Sequence, residues 1–347
     1  MSQKMMLQQV VTKPGTITFK EIPIPKINDS EVLIKIQMIG ICGSDIHVMH
    51  GKHAFTTYPV TQGHEVSGEV VEIGSDITDL KIGDRVTIEP QVVCGVCHPC
   101  RHGKYNLCES LKVMGFQTTG AASTFFAVDR KRVTSLPNTM SFKDGAMIEP
   151  MAVAVHAIKR MGDITGLNVA VIGAGPIGNL IAQTAKGMGA AKTMITDISD
   201  YRLSLAEDCG VDSVFNTKKV NFNDALIAAF GSDKADVIYD CAGTDSSIGD
   251  AIAHARKGSA IILVAVFANI AKVDLAVLND HELDLNTTMM YRHEDYLEAI
   301  RLVNENKVEL KPLQSKVFPF REYQKAYEYI EKNQEHSMKI FIEVQNQ

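Results

Sequence analysis

Nothing in this chain suits it to a membrane or to nucleic acid. Its 35 lysines and arginines are outnumbered by 41 aspartates and glutamates, a formal net charge of −6, so it offers no basic footprint to a phosphate backbone. The longest apolar run, Ala260 to Ala268, falls far short of the roughly 20 residues that a membrane-spanning helix needs. The opening segment MSQKMMLQQV holds no apolar stretch of signal-peptide length, and a soluble, cytoplasmic protein is expected. Internal repeats and low-complexity linkers are absent as well. Cysteine is scarce and unevenly spread: of seven, four fall between Cys94 and Cys108. That spacing does not resemble a secreted disulfide framework, and in a reducing compartment it points to metal.

What is present is ordinary globular material. Hydrophobic residues at 45% and charged residues at 22% suffice for packed cores, and 347 residues are too many for one, so about two domains are expected. Short β-type runs broken by Gly and Pro dominate the first 150 residues: Glu31–Met38, Glu65–Ile73, Arg85–Glu89 and Ala121–Val128. They predict a compact, mainly antiparallel unit. Across Lys143–Met161 the apolar residues switch to helical spacing. From Asn168 strand and helix alternate. The predicted strands are Val169–Gly173, Thr193–Asp197, Ser213–Asn216, Asp236–Asp240, Ser259–Val266 and Asp284–Met289, with helices at Ile177–Met188 and Tyr201–Cys209 among those between. Six strands joined by crossovers make a doubly wound parallel sheet, so the fold class is α/β. The tail from about Tyr291 breaks this rhythm and is expected to return to the first domain. The expected domains are therefore 1–155 with 291–347, and 156–290.

Two local motifs carry chemistry. The run Val169 to Ile172 feeds Gly173-Ala174-Gly175-Pro176-Ile177-Gly178 and then a helix, the strand–turn–helix context that a dinucleotide-binding turn requires. Gly173 allows the tight turn, Gly175 lets backbone approach a pyrophosphate, and Gly178 lets helix and strand pack closely; the helix N-terminus offers free N–H groups. Asp197 ends the next strand, nineteen residues after Gly178. A carboxylate there accepts ribose hydroxyls and repels a 2′-phosphate, which favours NAD over NADP. The bland alternative is a structural turn with Asp197 as a helix cap. Arg202 either lies along the adenosine ribose or faces solvent. Cys94, Cys97, Cys100 and Cys108 can close a tetrahedron around Zn²⁺, with no coordination position left open, so the role is structural. Disulfides and an iron–sulfur cluster are the rivals, the latter with different local spacings.

A third group is dispersed, and its context matters more than its spacing. Cys42 lies in Gly40-Ile41-Cys42-Gly43-Ser44-Asp45-Ile46-His47, His64 and Glu65 follow Gly63, and Glu149 precedes Pro150. Singly, Cys42 reads as a buried apolar residue and His64 as a turn histidine. Together with Gly83-Asp84-Arg85-Val86, the four-cysteine segment, the glycine turn and Asp197, they resemble the zinc-containing medium-chain alcohol dehydrogenases, specifically the sorbitol (polyol) dehydrogenase branch. The resemblance covers essentially the whole chain. It implies a GroES-like catalytic domain beside the Rossmann domain, with a structural zinc lobe at about 91–109.

By that resemblance Cys42 and His64 are ligands of a catalytic zinc, Glu65 is a ligand or its close carboxylate partner, and Glu149 reaches the zinc directly or through water. One thiolate, one imidazole and carboxylate oxygens leave a position for water or alcohol. Asp45 would orient a ligand. The implied reaction sends hydride from a carbinol carbon to the nicotinamide of NAD, while Ser44 takes the hydroxyl proton and passes it through the nicotinamide ribose to His47. An ordinary histidine pKa of about 6.5 suits that outer position. Lys52, His53, Phe55, Phe116, Tyr291, Arg292 and His293 are candidate pocket walls. The expected activity is oxidation of a sorbitol- or pentitol-type polyol, or a related secondary alcohol, to a ketose or ketone. Alternatives are a polyol phosphate, an aldonate, butanediol or threonine, and, more remotely, a catalytically silent nucleotide sensor. The partners expected are zinc at two sites per chain, NAD, a small-molecule alcohol, and further copies in a homodimer or homotetramer, with the Ser259–Val266 strand and Phe267–Leu278 as a subunit edge.

Overall fold

The computed structural model describes residues 4–345. They form two compact units, one holding the chain up to Glu149 and again from Gln314, the other Pro150–Leu313.

The first unit is built on a seven-stranded sheet. Its order is Gln314–Pro319, Lys339–Glu343, Glu31–Gly40, Glu65–Ile73, Arg85–Ile88 and Val133–Ser135, with Phe125–Asp129 also paired to Glu31–Gly40. Buried Ile34, Ile36 and Met38 alternate with half-buried Lys35 and Gln37, the period-2 pattern of a strand with one face in the core. All pairings are antiparallel except Gln314–Pro319 with Lys339–Glu343. That parallel pair is joined through the helix Tyr323–Lys332, which buries Tyr323, Ala326 and Tyr327 at i, i+3 and i+4. The hairpin Met5–Lys13 with Thr16–Pro23 had no counterpart in the sequence reading.

The second unit is a six-stranded parallel sheet in the order Ser213–Asn216, Lys192–Asp197, Asn168–Ile172, Val237–Asp240, Ala260–Leu263, Asp284–Thr287. Numbered along the chain this is 3-2-1-4-5-6, the dinucleotide-binding topology. Val237–Asp240 is buried throughout, as expected where helices cover both faces of a parallel sheet.

Two expectations are corrected here. The strand from Ala260 to Leu263 is flanked on both sides, so it offers no subunit edge; the edge strands are Ser213–Asn216 and Asp284–Thr287, and the side chains of the latter are mostly exposed. The chain also stays in the second unit past Tyr291, as far as Leu313. The cause is a buried anchor. Asp295, on the helix His293–Asn304, is fully buried and holds His156 Nδ1 and Lys159 Nζ at 2.8 Å each, both from the helix Ile148–Lys159. No helix among the described residues is long and apolar enough to cross a membrane.

Candidate functional site

Strand register assembles the first cluster. Gly40 pairs with Glu65, so the segment leaving Glu31–Gly40 runs beside the start of Glu65–Ile73. A side chain on Gly40 would collide with the Glu65 carboxylate, and glycine makes room for it. Two residues on, Cys42 caps the helix Gly43–Met49, and Asp45 in its first turn accepts the Cys42 N–H at 2.9 Å. The Cys42 thiol, His64 imidazole and Glu65 carboxylate thereby come within 4.8 Å of one another. Thiolate, imidazole and carboxylate donors at such separations fit zinc. Buried Asp45 faces His64 Nδ1 at 3.6 Å, while the His64 side chain hydrogen-bonds Cys42. Burial alone would lower the His64 pKa, but Asp45, Cys42 and Glu149 outweigh it and raise it well above the ordinary value. The cluster therefore favours positive charge. Glu149, nearly buried at the start of the helix Ile148–Lys159, acts on His64 through its charge and stands outside the three-residue group.

Lys339 was missing from the sequence reading. Its Nζ lies 2.7 Å from both Glu65 oxygens and 3.4 Å from the Ile41 carbonyl, with both side chains buried. Burial would lower its pKa, but Glu65 and Cys42 prevail and hold it above the ordinary value. Its only sequence trace is a lysine inside the apolar run Met338 to Ile342.

Ser44 and His47 stand one turn apart on the helix Gly43–Met49, the first half-buried and the second exposed. Phe116 packs on His64 with ring centroids 4.9 Å apart, and His53 stacks on Phe116 at 4.6 Å. Burial first, then His47 and His64, lower the His53 pKa, so it is neutral near pH 7. Lys52 and Phe55 are exposed, whereas Tyr291 is fully buried edge-on against Tyr296. Arg292 caps the helix His293–Asn304 and pairs with Glu294 at 3.0 Å.

Cys94, Cys97, Cys100 and Cys108 also converge within 4.8 Å. The Cys108–Cys94 and Cys97–Cys108 sulfur separations are 3.6 and 3.9 Å. Four thiolates at ~2.3 Å around a tetrahedral zinc would be about 3.8 Å apart. Backbone N–H groups of Val96 and Cys97 hold the Cys94 thiol down at about 6, which favours the ligating thiolate. Cys209 and Cys241, both in the second unit, are half-buried.

In the second unit Gly173 has φ +99, and a side chain on Gly178 would strike the Gly173 carbonyl. Beside Gly175, the cap of the helix Pro176–Gly187, a Cβ would meet nothing nearer than Arg202 Nη1 at 4.0 Å. The helix N-terminus thus carries an open cradle of the kind a pyrophosphate fills. Asp197 accepts the Ala174 and Ser199 N–H groups at 2.7 and 2.9 Å and lies 4.0 Å from Arg202. Arg202 therefore sits at the turn.

Residues 28–138 match the alcohol dehydrogenase GroES-like domain, and residues 176–305 match the zinc-binding dehydrogenase domain. The chain is 35% identical over 344 residues to sorbitol dehydrogenase 1 of Saccharomyces cerevisiae, covering 95% of each chain. It is 33% identical over 346 residues to D-xylulose reductase of the same yeast, covering 96% of each. Among solved structures, galactitol-1-phosphate dehydrogenase from Escherichia coli is similar with a TM-score of 0.90 at 30% identity, covering 98% of this chain and all of that one.

Proposed function

The chain belongs to the zinc-dependent medium-chain alcohol dehydrogenase family, and from that premise we propose that it oxidises a sorbitol- or pentitol-type polyol to a ketose with NAD. The observation that carries this reading is the convergence of Cys42, His64 and Glu65. Cys42, His64 and Glu65 would hold a zinc ion there, with Glu149 completing the donors directly or through water, and the ion would supply Lewis-acid polarisation of the substrate hydroxyl. Gly173–Gly178 would seat NAD, with Asp197 and Arg202 beside its adenosine ribose, and the cofactor would supply the hydride acceptor. Ser44 takes the hydroxyl proton, and exposed His47 delivers it to water. His53 and Phe116 wall the substrate beside His64. Cys94, Cys97, Cys100 and Cys108 hold a second, structural zinc.

Steady-state reduction of NAD with sorbitol, xylitol, arabitol, their phosphates, butanediol and threonine tests the reading, with Cys42→Ser as the inactive control. A preparation holding both zinc ions that turns over none of the polyols refutes it. The likeness to galactitol-1-phosphate dehydrogenase and the exposed Lys52 beside His53 favour a phosphorylated polyol as the second reading. A homo-oligomer is proposed through the exposed edge strand Asp284–Thr287 and the apolar Val266, Ile270 and Leu275, which are exposed by 94%, 98% and 69%. Light scattering giving the 38.0 kDa mass of one chain would end that idea.

A further inference from the structure

Behind the Cys42–His64–Glu65 cluster lies a buried polar chain that reaches the C-terminal segment. Asp45 is fully buried, and its two carboxylate oxygens have different partners. Oδ2 accepts the Cys42 N–H at 2.9 Å, while Oδ1 faces His64 Nδ1 at 3.6 Å and accepts the Gln62 side-chain amide at 3.3 Å. The same Gln62 Nε2 donates to the Asp45 carbonyl at 3.1 Å. Gln62 is itself fully buried, and its Oε1 accepts the Tyr327 hydroxyl at 2.8 Å. Tyr327 belongs to the helix Tyr323–Lys332 and is 2% exposed.

The direction of each bond in this chain is forced. A main-chain carbonyl only accepts, so the nitrogen of the Gln62 amide must face Asp45 and its oxygen must face Tyr327. Tyr327 is then the donor. A hydroxyl that donates to Oε1 opposes a flip of the amide, because a flip would take that acceptor away and leave the Asp45 carbonyl and carboxylate opposite the amide oxygen. With Gln62 held, the Asp45 carboxylate is held as well. A carboxylate facing Nδ1 selects the imidazole form that carries its proton there, which leaves the ring nitrogen on the Cys42 side as a lone-pair donor.

We propose that Gln62 and Tyr327 are positioning residues of the metal centre, acting through Asp45 to hold His64 in its ligating tautomer and orientation. This rests on the reading of Cys42 and His64 as zinc ligands. The helix Tyr323–Lys332, far from Cys42 in sequence, thereby sets how tightly the first unit holds the metal.

The test compares wild type with Tyr327→Phe, which removes one hydroxyl, and Gln62→Leu, which removes the whole link. Phe320→Leu, a core substitution in the same unit outside the chain, serves as the stability control. Zinc affinity is measured by competition with a chelator, and Co²⁺ is substituted so that the thiolate–cobalt and ligand-field bands report ligand geometry. Both variants are expected to retain the four-cysteine zinc, to weaken the other zinc by roughly 10- to 100-fold, and to shift the cobalt bands. Phe320→Leu is expected to lower the melting temperature and leave zinc affinity and cobalt bands unchanged. Wild-type affinity and spectrum in Tyr327→Phe would overturn the proposal, as would an equal loss of affinity in Phe320→Leu. Cys42→Ser separates the two levels: if it keeps both zinc ions, the reading of the centre itself is wrong and this inference falls with it.

Discussion

Replacing Lys339 by Met should be one of the most damaging single changes available in the first unit. The substitution keeps most of the apolar stem and removes the ammonium that sits 2.7 Å from both oxygens of Glu65. The two side chains are 5% and 1% exposed, so water cannot replace the lost partner. Breaking a buried pair from one side leaves a charge uncompensated and costs about 3–5 kcal/mol. For units of 150–250 residues each kcal/mol shifts the midpoint by about 2–4 °C, so a fall of roughly 6–20 °C is expected. Lys339 is held above the lysine reference of 10.5, so its contribution is complete below that pH and lost as pH rises through the folded value. Thermal unfolding followed by circular dichroism near neutral pH, after a chelator has emptied the Cys42–His64–Glu65 site so that no metal offsets the Glu65 charge, therefore reads the full effect. Two comparisons isolate the cause. Lys219→Met breaks an ion pair with Asp200 that is 65% and 67% exposed, and it should scarcely move the midpoint, because water replaces the lost partner. Adding Glu65→Gln to Lys339→Met should recover much of the loss, because the stranded charge is gone. A single variant that melts within about 3 °C of wild type, or a double variant no more stable than the single, refutes the argument.

Three further outcomes follow from the other sites. Cys97→Ala should lower zinc content from about two ions per chain to one and also lower the melting temperature, because metal at a closed site is coupled to folding; elemental analysis showing unchanged zinc would count against the lobe. Asp197→Ser removes a carboxylate that would meet the ribose hydroxyls, and kcat/KM for NAD should fall roughly 10- to 100-fold while the preference over NADP shrinks, as charged hydrogen bonds contribute about 1.5–3 kcal/mol. The variant should also melt lower, since Asp197 holds the Ala174 and Ser199 N–H groups; wild type using NADP as well as NAD would remove Asp197 as the discriminator. At Asp295 burial opposes ionisation, but His156, Lys159 and the Arg292 N–H outweigh it and hold the carboxyl below its reference of 3.8. Its stabilisation is therefore present above that value and lost as pH falls through the folded pKa, so Asp295→Asn should flatten the melting profile below about pH 4; a profile as steep as wild type there would show that Asp295 contributes nothing.

What could be read along the chain is whatever is encoded within a few residues of itself. The glycine turn and the four cysteines are local objects: each supplies its φ angles, donors and spacing from one short stretch, and the structure keeps them together. The four inner parallel strands announce themselves in the same way, because strands buried on both faces are short apolar runs between helices. Cys42, His64 and Glu65 are an intermediate case. Resemblance picked them out, but only the pairing of Gly40 with Glu65 brings them within reach of one another. Lys339 and Tyr327 could not be read at all. Each is one polar residue in an amphipathic or apolar stretch, and its role exists only because the last strand and helix close on a sheet begun some three hundred residues earlier. The tail was misplaced for a related reason: Asp295 looks like any acidic residue in a first helical turn until it is buried against His156 and Lys159. Composition and spacing determined the elements and the local motifs, since backbone propensity and side-chain period act over short range. Which charges lost their water, and therefore needed a partner, was decided by tertiary packing alone, because burial belongs to the assembled core and to no segment of it.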